Sequence, residues 1–289
     1  MAMTPADITD FLAHEPLAIV AQLTSVKGST PRNEGAFMLV GAQETVGTIG
    51  GGQLEYLAIA RARQVMADGS VTTMMDVPLG PEIGQCCGGR VEISLTVVDK
   101  AKARALIKAL QDERAAWPHV YMFGAGHVGH ALALALALLP LKTHVVDTRP
   151  DELAGFPENV QTHAVPMPEA VVRSAPAGSA FVVLTHDHAL DFLIVAEAIK
   201  RDDAAYVGMV GSKTKRAKFQ SWFVGEGGDK SLLGRLISPI GAEGLGDKRP
   251  EVIAALAAAE IMVHIGRREV LSVRSRPVTM TKLGAVNGR

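Results

Sequence analysis

The stretch YMFGAGHVG at residues 121–129 decides the fold of the C-terminal half of this chain. Apolar residues run directly into a G-x-G-x-x-G loop formed by Gly124, Gly126 and Gly129, and a helix-forming Ala/Leu run at Val128–Leu139 follows. Glycines at this spacing allow a tight turn and let backbone N–H groups approach a phosphate at the helix N-terminus. The pattern predicts a Rossmann-type unit and makes the three glycines candidate cofactor-binding residues.

The residues downstream of this loop alternate between strand-like and helix-like segments. The strands are predicted at His144–Asp147, Phe181–Thr185 and Tyr206–Val210, and the helices at Asp191–Arg201, Lys213–Phe223 and Pro250–His264. Such alternation is typical of a doubly wound parallel sheet. Asp147 ends the second strand, about where an acid would hold a ribose hydroxyl of a dinucleotide.

The segment Thr185-His186-Asp187-His188 follows a buried strand. Ligands bind outside the carboxyl ends of the strands in a doubly wound sheet. His186, Asp187 and His188 are therefore candidates for metal binding or proton transfer, and His186 is taken as a candidate cofactor contact. The alternative is that Asp187 or His188 only caps the following helix.

A second polar segment, GSKTKR at residues 211–216, opens the next helix with Ser212 as a good N-cap. Lys213, Lys215 and Arg216 then crowd the first turn, where the positive end of the helix dipole disfavours them. A bound anion would relieve this conflict, so Lys213 is a candidate cofactor-binding residue. The alternative is that the basic side chains extend into solvent.

Glycine-rich loops distinguish the N-terminal part of the chain, which is predicted to be a smaller α+β domain. The loops are GSTPR at 28–32, GTIGGGQLE at 47–55 and GQCCGG at 84–89. Arg32 places a charge near hydroxyl groups, and the run containing Gly51 and Gly52 opens a helix in an anion-binding geometry. Arg32, Gly51 and Gly52 are candidate cofactor-binding residues; the alternative is a set of tight turns between short strands.

Cys86 and Cys87 are the only cysteines of the chain. They form no disulfide framework, and two ligands cannot close a four-ligand zinc site alone. Soft thiolates in a glycine-rich loop suit molybdenum, Cu(I) or sulfur transfer. Inert buried thiols and a strained vicinal disulfide are the alternatives.

An amphipathic helix at Ala101–Ala116 separates the two halves and is taken as a linker or as a lid of the first domain. The predicted organisation is an α+β domain at 1–98, a linker helix at 99–117, and a Rossmann-like domain with a C-terminal tail at 118–289. Two domains agree with the length of 289 residues.

The composition excludes two classes of partner. The formal net charge is −1 and aromatic residues make up 4% of the chain, so neither nucleic acid nor an anionic membrane surface is an expected partner. The apolar run Ala131–Leu141 is too short for a membrane span. The N-terminus lacks the basic and apolar regions of a signal peptide, so the cytoplasm is the expected location.

Seven motifs in this order resemble the XdhC family of xanthine dehydrogenase accessory proteins, which act as molybdenum-cofactor insertion chaperones. The motifs are GSTPR at 28–32, GTIGGGQLE at 47–55, LGPEIGQCCGG at 79–89, YMFGAGHVG at 121–129, VLTHDH at 183–188, GSKTKR at 211–216 and SPIG at 238–241. The resemblance covers nearly the whole chain, except the tail after about residue 268.

The resemblance implies a chaperone rather than an independent enzyme. Family members bind the molybdenum cofactor, a molybdopterin, while a cysteine desulfurase delivers sulfur, and then insert the cofactor into apo xanthine dehydrogenase. It also implies contact with molybdenum-cofactor biosynthesis proteins, a homodimer, and Cys86 and Cys87 as molybdenum or sulfur contacts. The cofactor is expected in a cleft between the domains, since such clefts are favoured ligand sites.

Two other functions remain open from the sequence. One is an NAD(P)-dependent oxidoreductase that uses the Rossmann domain, although no hydride-transfer residues accompany the glycine loop. The other is a non-catalytic Rossmann sensor that reports redox state to a partner; the neutral charge argues against a DNA-binding version.

Overall fold

The structure, a computed structural model, describes residues 3–81, 88–241 and 246–274. The chain divides into two compact units, Met1–Ala116 and Trp117–Arg289. Within the described residues, no helix combines the length and apolar character that crossing a bilayer requires.

The first unit is an antiparallel sheet covered by helices on both faces. Its elements are α1 Pro5–His14, β1 Ile19–Lys27, β2 Phe37–Val40, β3 Thr45–Gly47, α2 Gly52–Asp68, β4 Thr72–Pro78, β5 Arg90–Val97 and α3 Lys100–Ala115. The five strands pair antiparallel in the order β3-β2-β1-β5-β4.

Successive side chains of a strand point to opposite faces of the sheet, so the core of this unit has one part on each face. Ile19 and Leu23 of β1 pack with α2, whereas Val20 packs with α1 and α3. Leu106 and Leu110 of α3 are buried in the second of these clusters. The helix expected as a linker or lid thus contributes side chains to the core of the first unit, because its apolar stripe is buried there.

The second unit is a parallel sheet between two helical layers. Its elements are β6 His119–Phe123, α4 His127–Leu136, β7 Lys142–Asp147, β8 Val160–Ala164, α5 Pro168–Ser174, β9 Ala180–Val183, α6 His188–Lys200, β10 Tyr206–Met209, α7 Lys213–Gly225, β11 Leu236–Ile237 and α8 Pro250–Arg274. The strands run in the order β11-β10-β9-β6-β7-β8.

This order is the doubly wound Rossmann arrangement, in which the chain starts at the centre of the sheet, moves to one edge, and then crosses to the other side. Helices α4 and α8 pack on one face, and α5, α6 and α7 on the other. The predicted fold class is therefore confirmed: a Rossmann-type parallel sheet preceded by a smaller unit with an antiparallel sheet.

Some elements differ from the sequence-based expectation. β8 was not predicted, because it is an edge strand whose only buried side chain is Val160, so it lacks an apolar pattern. The last helix continues to Arg274, past the predicted end at His264.

Candidate functional site

The glycine loop after β6 has two closely packed positions and one open position. Gly124 has a φ of 118°, and a Cβ there would lie 2.5 Å from the carbonyl oxygen of Leu184. A Cβ on Gly129 would overlap the carbonyl oxygen of Gly124. At Gly126, where φ is −77°, an added Cβ would meet nothing within 4 Å. The loop thus leaves space at the N-terminus of α4, where a phosphate can approach backbone N–H groups.

A cleft of about 710 Å³ lies beside this open position. Its lining combines the first turns of α4 and α8, including Gly126, His127, His130 and Glu251, with the apolar side chain of Leu134. The volume is within the usual range for small-molecule sites, about 300–1,000 Å³.

Asp147, expected to hold a ribose hydroxyl, is engaged by its own loop. Its carboxylate accepts the Ala125 N–H at 2.8 Å, the Arg149 N–H at 2.9 Å and the Arg149 guanidinium at 3.0 Å. Burial would raise the pKa of Asp147, but the hydrogen bonds from Arg149 and Ala125 outweigh it and lower the pKa. The ionised carboxylate therefore stabilises the glycine loop. A ribose hydroxyl would have to compete with Arg149 for hydrogen bonds to it.

The segment Thr185–His188 lies at the carboxyl end of β9. His186 borders a small crevice together with Gly124 and Asp147 and is exposed to solvent. Asp187 caps α6, since its carboxylate accepts the Ala189 N–H at 2.8 Å. Capping is therefore the role that the structure shows for Asp187. Among the described residues, no group of three or more His, Cys, Asp or Glu side chains is arranged to hold a metal.

Beneath this segment lies a buried ion pair between Asp191 of α6 and Lys215 of α7. The Asp191 side chain is fully buried and that of Lys215 is 9% exposed. The second carboxylate oxygen of Asp191 accepts the backbone N–H of Thr185 at 3.0 Å and its hydroxyl at 2.8 Å. Lys215 also donates to the carbonyl oxygen of Val210 at 3.0 Å. The pair thus ties the two polar segments together at the carboxyl ends of β9 and β10.

This pair was missed at the sequence level, although a signal was present. Asp191 stands at the head of the apolar run FLIVA, and a carboxylate buried in such a run requires a partner. The crowding of positive charge at the start of α7 is relieved by the protein itself. Lys215 turns inward, Arg216 donates to the Ser238 carbonyl oxygen at 3.2 Å, and Lys213 is exposed.

In the first unit, the structure brings the glycine-rich motifs together. A Cβ on Gly50 would overlap Pro31, and one on Gly89 would overlap the carbonyl oxygen of Ser29. Ser29 also forms an isolated β-bridge with Gly88, the residue that follows Cys87. Cys86 and Cys87 themselves fall in residues 82–87, outside the described part of the chain.

The anion-binding site expected at Gly51 and Gly52 is occupied by a side chain of the protein itself. The Glu55 carboxylate accepts the Thr48 hydroxyl and, at 3.0 Å, the Ile49 N–H. Burial raises the pKa of Glu55, but the Thr48 hydroxyl and the backbone N–H groups of residues 49–51 lower it below its ordinary value. The donors of this loop thus already hold a carboxylate, which fixes the start of α2.

Arg32 has a different environment. Its side chain is exposed, and within the described residues no carboxylate pairs with it. Of the cationic residues named above, Arg32 and Lys213 are exposed and form no ion pair with another described residue.

These features define a class of protein: a Rossmann-type unit with an open phosphate-approach position, preceded by an antiparallel unit with converging glycine loops. Sequence profiles identify the family within this class. The profile of the XdhC Rossmann domain matches residues 120–261, and that of the XdhC and CoxI family matches residues 12–76. This chain belongs to the XdhC and CoxI family.

Two individual proteins are similar to this chain. The Escherichia coli (strain K12) protein YqeB, which is uncharacterized, is 26% identical over 253 residues, covering 84% of this chain. The present chain spans 42% of the length of that relative. A crystal structure described as a xanthine dehydrogenase from Bacillus halodurans has a TM-score of 0.76 and 19% identity, covering 95% of this chain and 98% of that one. At this identity the likeness shows the shared fold.

Proposed function

We propose that this protein binds the molybdenum cofactor, supports its sulfuration and inserts it into apo xanthine dehydrogenase. Membership of the XdhC and CoxI family is the observation that carries the proposal. The proposed partners are apo xanthine dehydrogenase, a cysteine desulfurase, molybdenum-cofactor biosynthesis proteins and a second copy of the chain. The proposed location is the cytoplasm, where the thiols of Cys86 and Cys87 stay reduced.

The described residues of the second unit fit the phosphate of a molybdopterin. Gly126 leaves room at the N-terminus of α4, where backbone N–H groups and the helix dipole favour an anion. His127 and His130 line the same cleft and offer ring N–H donors. These residues would bind and orient the phosphate end of the cofactor.

The first unit offers donors of a different kind. Arg32 presents an exposed guanidinium that pairs with no carboxylate of the described residues, and Gly88, where the loops converge, directly follows the cysteine pair. When bound, the cofactor would supply a molybdenum centre that can take up sulfur. Cys86 and Cys87 are proposed as the soft contacts for that centre, since thiolates suit molybdenum and its sulfur chemistry. A carrier that must release the cofactor is expected to contact its metal through few protein ligands.

The first prediction concerns retention of the cofactor. Protein co-produced with the cofactor-synthesis enzymes is expected to carry molybdenum and pterin, measured by elemental analysis and by fluorescence of the oxidised pterin. The double variant C86A/C87A should retain at least about tenfold less, which corresponds to about 1.4 kcal/mol of lost binding. Met74→Ala removes an exposed sulfur elsewhere and should retain as much as the wild type. A wild-type protein with neither molybdenum nor pterin would contradict the proposal.

The second prediction concerns the open position of the glycine loop. Gly126→Ala should leave the thermal unfolding midpoint unchanged, because φ is ordinary and the new methyl group meets nothing within 4 Å. It should weaken cofactor retention by about tenfold or more, because the methyl group stands where the phosphate approaches the backbone, and a hydrogen bond to a charged group contributes about 1.5–3 kcal/mol. Gly266→Ala on α8, equally free of contacts, is the matched control.

A comparison of the wild type with Gly126→Ala also separates this proposal from the oxidoreductase alternative. We expect no thermal shift with NAD(H) or NADP(H), because Asp147 is already held by Ala125 and Arg149. A dinucleotide-induced shift in the wild type that disappears in Gly126→Ala would favour the alternative instead.

A further inference from the structure

Three histidines form a hydrogen-bonded row across one face of the parallel sheet. His119 lies on β6, His144 on β7 and His163 on β8. The Nδ1 atom of His119 lies 2.9 Å from Nε2 of His144, and Nδ1 of His144 lies 3.1 Å from Nε2 of His163. Neither the glycine loop nor the proposed function uses these side chains.

The row is buried at its centre and half-buried at both ends. His144 is 5% exposed, and the Tyr121 ring stacks on it with centroids 4.3 Å apart. Burial, followed by the neighbouring histidines and Lys142, lowers the pKa of His144 to about 4. Burial and Lys142 also lower the pKa of His119. The central ring is therefore neutral at pH 7.

Counting ring protons shows how many charges the row can hold. A neutral imidazole has one N–H donor and one nitrogen acceptor, so three neutral rings satisfy both hydrogen bonds when all protons point the same way. One added proton is also accommodated, because each hydrogen bond still contains a single proton. A second added proton places two N–H groups against each other in one of the two bonds, which breaks it.

We propose that this histidine row holds the edge strand β8 on the sheet in a pH-dependent way. The strand stays paired while the row carries no more than one added proton, and a second added proton breaks a ring hydrogen bond and releases it. β8 is the last strand on its side of the sheet. Of its five side chains only Val160 is buried, and His163 is half-buried. The ring contact adds to the backbone pairing of Val160–Ala164 with β7, and release of the strand would leave unpaired backbone groups along β7.

The surroundings of the row add positive charge and no described carboxylate pairs with a ring. Lys142 lies opposite His119 in the β6–β7 register, and Arg201, after α6, acts on Tyr121. The helices on this face carry further charged side chains. Arg173 and Lys200 pair with Glu197, and Glu169 of α5 is half-buried. Within the described part of the chain, no carboxylate is paired with one of the rings, so none offsets a second proton there by an ion pair.

Hydrogen exchange of the intact protein between about pH 7.5 and 4.5 tests this proposal, since the window brackets the ordinary histidine pKa. After correction for the intrinsic rate, exchange of the Val160–Ala164 amides should accelerate as pH falls. The increase should approach about tenfold per pH unit at the acid end, because the open strand binds one more proton than the closed one. The Tyr206–Met209 amides, in an interior strand, serve as the internal reference.

Two variants decide whether the row is the cause. His163→Gln keeps a hydrogen bond to His144 without titrating, so exchange of β8 should become independent of pH over this range. His14→Gln, at an exposed histidine of the first unit, should behave as the wild type. A wild-type β8 whose corrected exchange does not change with pH, or a His163→Gln variant that keeps the wild-type profile, would overturn the proposal.

Discussion

Replacing Asp191 with alanine is expected to lower the free energy of unfolding of the second unit by about 3–5 kcal/mol, the usual cost of leaving one member of a buried ion pair alone. The Lys215 ammonium would keep one acceptor, the Val210 carbonyl oxygen, and lose its counter-charge where its side chain is 9% exposed. The backbone N–H and hydroxyl of Thr185 would also lose their acceptor. The expected loss of unfolding free energy is therefore larger than the loss from breaking an ion pair on the surface.

Urea unfolding followed by tryptophan fluorescence measures this effect selectively. Both tryptophans of the chain, Trp117 and Trp222, belong to the second unit. Lys215→Met should also destabilise, because it leaves the Asp191 carboxylate buried without its cation. The double variant D191L/K215M should recover most of the loss, since replacing both charges by apolar groups is often neutral or stabilising. Single variants that cost less than about 1 kcal/mol, as exposed pairs do, would contradict this account.

Gly124→Ala is expected to be the most damaging single methyl group in the glycine loop. The new Cβ would lie 2.5 Å from the Leu184 carbonyl oxygen, which is backbone and cannot move aside as a side chain can. The φ of 118° adds strain for any residue with a Cβ. Together these effects should cost about 3 kcal/mol or more of unfolding free energy.

Two other glycines separate the causes of this loss. Gly155 has a φ of 79°, and a Cβ there would meet nothing within 4 Å. Gly155→Ala should therefore lower the free energy of unfolding only by the cost of the left-handed backbone conformation, about 1–2 kcal/mol. Gly126→Ala has neither problem and should unfold as the wild type does. All three variants are read by the same tryptophan fluorescence. If Gly124→Ala proved no worse than Gly155→Ala, the close approach to Leu184 would not be the constraint.

Much of the fold was predictable because its signals are local. The glycine spacing at residues 124–129 and the alternation that follows were sufficient for the Rossmann class, since each strand and helix carries its own apolar period. The edge strand β8 was not predictable in this way. Three of its five side chains are exposed and its apolar content is low, so only pairing with β7 identifies it.

The candidate site was predicted less completely. The open position at Gly126 and the exposed His186 lie where the motifs indicated. Other polar residues proved to serve the protein itself. Asp187 caps a helix, Glu55 fills the anion-binding loop before α2, and Arg216 binds a backbone carbonyl. A sequence shows that a donor or charge is present but not whether the chain already supplies its partner.

The sequence by itself determined the class of fold and the family of this protein, because ordered motifs and apolar periods are properties of neighbouring residues. The tertiary structure alone decided which side chains are paired: Asp191 with Lys215, Asp147 with Arg149, and the three histidines with one another. The reason is geometric. Parallel strands bring residues far apart in the chain to the same level of the sheet, and burial then requires each polar group there to find a partner.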